Sequence, residues 1–318
     1  MSSAPIADLT YRNYDGPLEP PMYRWWAIAK MMMRLSIKKK SFWVFGSLSG
    51  WWYFILAAIF YFTETISAAQ GIPGPNQFLL RVVWKDIFLD GFSRSQLFLF
   101  IIALLIGVGQ IANDNRANAL LVYLSKPCTK TDYLIGKWFG IFVPLLCVVA
   151  GPTLLFYGYC AMSYRHYGFF TQDPWLILKL LVLFPIAPAF HASVALGISS
   201  LFNQGRIAGA VYSGIYFMSD FFTLAISVIM QTSSRPDPHV WKLLNTVFYF
   251  AVDGIQIACA KLLLGTRGSD LFGGPRGRLT TPPDIPSAPL FIALYLGICL
   301  LSLWIAWVRI RAVEVVGT

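Results

Sequence analysis

The chain has 318 residues, 57% of them hydrophobic, 16% aromatic and only 13% charged, with a mean hydropathy of +0.60. Soluble domains carry about 25% charged residues, so the composition excludes an ordinary soluble domain and points to an integral membrane protein. The formal net charge of +10 is no sign of nucleic acid, because the basic residues flank apolar runs, as on the cytoplasmic side of spans near anionic lipid.

Residues 1–21 form a polar, Pro-rich lead with turn chemistry at Asp15-Gly16. No apolar run follows a basic start, so no cleavable signal peptide is expected. Residues 22–40 differ. Trp25, Trp26, Ala29, Met32, Met33 and Ser36 recur at helical spacing among Arg24, Lys30, Arg34, Lys38, Lys39 and Lys40. This predicts an interfacial helix, with Trp25 and Trp26 at headgroup depth. Arg34, Lys38, Lys39 and Lys40 would face anionic lipid and anchor the helix to the membrane surface.

A transmembrane domain follows over residues 41–311. Its first span is expected at Phe42–Phe62, about 21 residues and roughly 30 Å at 1.5 Å per residue. A polar loop is expected over 64–95, then a second span at Gln96–Ala112. The third, Trp138–Met162, can kink at Pro144 and Pro152. The fourth, Trp175–Phe202, has Lys179 able to snorkel at its start and Pro185, Pro188 and His191 inside. The fifth, Ile207–Met230, carries Asp220, which must face protein or water.

Residues 231–288 are the expected outer loop, and Val240–Leu264 within it looks helical despite Lys242, Asp253 and Lys261. A seventh span at Leu243–Leu264 would bury Asp253 at a cost of about 2.5–3.5 kcal/mol. A helix that dips into the outer leaflet or lies along it is therefore preferred. The sixth span, Pro289–Val308, is closed by Arg309 and Arg311, with residues 312–318 as a tail. The basic flanks place both termini in the cytoplasm, although the basic residues after the fifth span strain that rule.

Gly107–Lys137 is a polar island between two apolar runs, longer and more patterned than a simple connector. A helix from about Arg116 to Leu124 places Leu120, Leu121 and Leu124 on one side, and Pro127 stops it after Lys126. With Asp114 and Arg116 at the rim and Lys130 beyond the turn, residues 111–137 form an expected docking surface for a cytoplasmic partner.

No Walker A motif is present: Gly136-Lys137 lacks the glycine five positions earlier, where Thr131 stands. There is no HExxH and no GxSxG; three histidines are isolated and five cysteines lack metal spacing. No catalytic residue and no metal ligand is assigned.

Asp114, the Ala119-Leu120 step, the Leu124-Ser125-Lys126-Pro127 turn with Lys130, and Gly136-Lys137 together resemble the signature stretch of ABC-2 type ABC transporter permeases. The ending Arg309 to Glu314 is similar to that family's basic-acidic tail. Two features depart from the pattern: Asp114-Asn115 where a glutamate is commoner, and a long basic loop before the last span.

The resemblance implies an all-α integral membrane protein of six transmembrane helices. It adds an N-terminal interfacial elbow helix, a cytoplasmic coupling helix and a partly re-entrant outer hairpin before the last span. It also implies an exporter subunit of the cytoplasmic (inner) membrane, paired with a second permease copy or a homologous permease. Separate ABC ATPase subunits would dock on the coupling region and carry ATP and Mg, leaving this chain without a cofactor or ATPase activity.

Asp220, His191, Pro185 and Pro188 are the candidates for a substrate path or gate, set against plain helix packing. Gly205, Gly209 and Ser213 form a small-residue row suited to close packing, within the subunit or across a dimer. The alternative function is a non-transporting scaffold or assembly factor that recruits a cytoplasmic partner.

Overall fold

Apolar runs long enough to cross a bilayer must satisfy their backbone internally, and helices do so. The computed structural model describes residues 23–70, 76–117, 119, 128–232, 237–268 and 287–310, and every regular element among them is helical. The basic segment forms α1 (Arg24–Ile37). The first apolar run divides into α2 (Lys40–Ser49) and α3 (Trp51–Ala69). The expected span Phe42–Phe62 is thus broken at Gly50, where a Cβ would lie 2.6 Å from Cβ of Pro152. A side chain there would separate two packed helices.

Next come the short α4 (Gln77–Leu80), then α5 (Trp84–Ile106) and α6 (Gln110–Arg116). The loop expected over 64–95 is therefore corrected to the stretch between Ala69 and Trp84. The charges within α5 are each engaged, one pair along the helix itself and the others by residues outside it. Arg94 pairs with Asp90 at 3.0 Å and lies 3.8 Å over the Trp52 ring, while buried Asp86 accepts a hydrogen bond from the Thr266 hydroxyl.

α7 (Lys130–Ser163) starts earlier than the hydropathy places it, at a capping box. Thr129 Oγ1 accepts from the Asp132 N–H at 3.1 Å, and Asp132 Oδ2 accepts from the Thr129 N–H at 3.1 Å. Pro144 and Pro152 lie within α7 without ending it. α1 packs along α7, where a Cβ on Gly136 would fall 2.7 Å from the Trp25 carbonyl oxygen and one on Gly140 2.6 Å from Met32 Cβ. The predicted surface helix is thus also docked on the third span.

After α8 (Phe169–Gln172), α9 (Leu176–Leu183) and α10 (Ile186–Leu201) share the fourth span, interrupted at Phe184-Pro185. Lys179 does not snorkel freely; it pairs with Asp173. α11 (Gly205–Thr232) is the fifth span and α14 (Ala288–Arg309) the last. Between them, α12 (Pro238–Phe248) and α13 (Val252–Leu264) meet at a bend of 104°.

Six of the described helical segments are long and apolar enough to span a membrane, or seven if the bent pair counts as one. The fourth is the bundle's centre: 67% of its apolar window is buried, against 11% for the fifth and 17% for the sixth. α10 crosses α14 so closely that a Cβ on Gly197 would lie 2.8 Å from Ser302 Cβ.

The Val252 N–H donates to Ser219 Oγ at 3.4 Å, about halfway along α11. At its other end, the Gly265 carbonyl accepts from Lys85 Nζ at 3.4 Å beside the start of α5. α13 therefore runs from mid-depth in the bundle back toward the end where α5 begins.

Candidate functional site: a polar knot at the ends of four helices

Gly107 to Gly109 interrupt the helix between α5 and α6, leaving the first N–H groups of α6 without intrahelical partners. Gly109 has no side chain to cap them. The cap comes from α10 instead: buried Ser199 Oγ accepts from the N–H groups of Ile111 and Ala112, both at 3.0 Å. One hydroxyl thus fastens α6 to the central span.

Gln110 and Asp114 of α6 face α7. Asp114 Oδ2 lies 2.7 Å from Lys137 Nζ and accepts from the Tyr133 hydroxyl at 2.6 Å. Lys137 Nζ also donates to Gln110 Oε1 at 3.3 Å and lies 5.4 Å from the Tyr133 ring centroid. Lys137 is 4% exposed, so the carboxylate and the amide oxygen replace the water it gives up. On the α11 side, Asn113 Oδ1 accepts from the Gly205 N–H at 3.3 Å, and a Cβ on Gly205 would lie 3.1 Å from the Gly109 Cα. Gly205 and, through Leu104, Gly209 pack within the chain.

The predicted docking residues fall in the knot, at the helix ends beside it and in the stretch outside the described residues. Asp114 is turned onto Tyr133 and Lys137. Arg116 is exposed in the last turn of α6, where a cation suits the helix dipole, and Lys130 opens α7. Leu120, Leu121, Leu124, Lys126 and Pro127 lie outside the described residues.

Of the predicted surface anchors, Trp26, Arg34, Lys38 and Lys40 are exposed. Trp25 packs its ring 5.0 Å from that of Phe139. Lys39 instead donates to the Leu105 carbonyl at 2.7 Å, satisfying an end of α5. Cys128, just before α7, has its thiol pushed up by burial and by the Asp132 carboxylate, against the pull of Arg24.

The intramembrane candidates form a second group. Pro185 caps α10 and Pro188 lies in its first turn, where a missing N–H costs least. His191 is fully buried, its Nδ1 2.7 Å from the Tyr212 hydroxyl. Asp220 is half-buried on α11. One turn earlier, the Tyr216 hydroxyl donates to Asp253 Oδ2 at 2.7 Å, and the Tyr216 ring stacks on Phe100 at 3.8 Å.

Sequence reasoning singled out Asp114 and Gly136-Lys137 but not their pairing, and it missed Ser199, Asn113 and Tyr216. The available signal was Lys137 itself, seven residues into an apolar helix with Tyr133 one turn before it. Among the described residues no three His, Cys, Asp or Glu side chains converge as metal ligands. The knot offers ion pairs and hydrogen bonds.

Comparison with curated proteins returned no match. The family described as ABC-2 family transporter protein matches residues 26–309. That match takes in every described helix except the first residues of α1, and with the six candidate spans and the knot that joins the second to the third it identifies the chain. The chain belongs to the ABC-2 transporter family, as a multi-pass membrane permease.

Proposed function

We propose that this permease is the membrane half of an ATP-driven exporter whose ATP hydrolysis takes place on separate ABC ATPase subunits. The observation that carries the reading is the knot. Segment 117–129 joins two helix ends that Asp114, Gln110, Tyr133 and Lys137 tie together, and Ser199 and Gly205 extend the tie to α10 and α11. A push on that segment therefore moves four helices as one body, which is what a lever needs.

Leu120, Leu121 and Leu124 are the apolar anchors for the ATPase groove, ended by Pro127, with Arg116, Lys126 and Lys130 around them. ATP and Mg stay on the partner. This face is cytoplasmic, with both termini on the same side, in the inner membrane. A second copy or a homologous permease completes the path.

On this reading the α12–α13 pair is a re-entrant hairpin entering from the outer side. The depth at which Val252 meets Ser219 supports it, and so do the partners that surround α13. Asp220 is the candidate for the substrate path. The burial of His191 against Tyr212 favours a packing role for it, with Pro185 and Pro188 shaping the bend between α9 and α10.

Pull-down with the ABC ATPase subunit tests the reading. Leu121→Asp is expected to abolish recruitment, whereas changes in 163–174 leave it intact. Recruitment that survives Leu121→Asp overturns the docking assignment. Recruitment that never depends on nucleotide and moves no cargo favours the scaffold alternative.

A further inference from the structure

The end of α1, α2 and the start of α3 line, together with the middle of α7, an apolar groove of about 460 Å³. Met33, Ile37, Trp43, Phe54, Cys147 and Leu155 are among its walls. It opens sideways: Phe54 is 62% and Leu155 73% exposed at its margins. The volume falls within the roughly 300–1,000 Å³ of ordinary ligand sites. Its lining includes Gly151, where an added Cβ would meet nothing within 4 Å.

The groove's end is as basic as its walls are apolar. Ile37 and Phe42 both line it, and the stretch between them carries Lys38 and Lys39 in the turn and Lys40 at the start of α2. Lys39 is engaged with the Leu105 carbonyl. Lys38 and Lys40 are exposed, and Arg34 is exposed one turn before Lys38. No acidic residue lies between Arg24 and Ala57, so nothing along this stretch of chain offsets that charge.

We propose that the groove is a binding site for one anionic phospholipid. An acyl chain lies in the open groove that α2 and α7 line, and the headgroup phosphate lies on Lys38 and Lys40. The apolar walls select a hydrocarbon chain, and the lysines select a negative headgroup over a zwitterionic one. The site is independent of the coupling reading, since it uses neither segment 117–129 nor an ATPase.

The test uses the full-length permease in phosphatidylcholine nanodiscs containing trace phospholipid with a diazirine in its acyl chain, either phosphatidylglycerol or phosphatidylcholine. Crosslinks are mapped by mass spectrometry. The phosphatidylglycerol probe is expected to concentrate on 42–54 and 143–155, well above the exposed face of α14 around Leu300 and Trp304. Gly151→Phe fills open space and is expected to remove the groove crosslinks while leaving those on α14.

Lys38→Glu with Lys40→Glu, both on the surface, is expected to cut the preference for phosphatidylglycerol on the order of tenfold. Three results each overturn the proposal. They are groove labelling no greater than that of α14, labelling indifferent to both variants, or crosslinks from the groove to a second copy of the chain in place of lipid.

Discussion

Lys137 lies inside the apolar third span with 4% of its surface exposed, and its ammonium is held by Asp114 and Gln110. Removing one partner of such a pair leaves a largely buried charge without its counter-charge. Asp114→Asn is therefore expected to destabilise the permease by about 3 kcal/mol, and Lys137→Met to do comparable damage. The double variant should recover much of the loss, because no charge is then left over. Thermal unfolding of the four proteins in detergent measures this, and strictly additive losses would break the assignment.

Cys128 reports on the same end of the bundle. Burial and the Asp132 carboxylate both raise its thiol, so the thiolate fraction at neutral pH is below that of an ordinary cysteine. In a variant with Cys128 as its single cysteine, maleimide labelling should be slow near pH 7 and still rising where an exposed thiol levels off. Removing Arg24, which opposes the shift, should slow it further. Labelling from outside intact cells would reverse the orientation proposed for the coupling segment.

Among elements, the α1–α7 crossing shows how a pattern that was readable in part acquires its meaning. The periodicity of Trp25, Ala29, Met32 and Ser36 predicts the amphipathic helix. The glycines four apart that receive it, Gly136 and Gly140, belong to a segment more than 100 positions away. Gly140→Leu is expected to force α1 off α7, costing about 1–3 kcal/mol and exposing α1 to protease. Gly158→Leu in the same helix, where an added Cβ meets nothing within 4 Å, should behave as wild type. Equal behaviour of the two would mean that the crossing is not close-packed. The α2–α3 break follows the same rule: Gly50 was visible in the sequence, but Pro152 opposite it was not.

Across the whole molecule, the α12–α13 hairpin is held to α11 by the Tyr216–Asp253 hydrogen bond and by Ser219 on the Val252 N–H. Tyr216→Phe keeps the ring stack on Phe100 but removes the donor. Faster amide hydrogen exchange over 249–264 is the expected outcome, with ATPase recruitment unchanged, because the latch and the knot lie at different depths of α11. Unchanged exchange would show that the hairpin is held by packing alone. The sequence alone determined that the chain is a helical membrane protein, how many apolar runs it has, where a basic amphipathic helix precedes them and where a polar island divides them. Those properties are carried by neighbours in the chain and by a helix's own period. Tertiary structure decided that Arg94 of α5 lies on Trp52 of α3, that Ser199 caps α6, that Asp114 turns onto Lys137, and that Val252 meets Ser219 at mid-depth. The cost of a charge or an unpaired N–H depends on what stands across from it, and that partner comes from another helix.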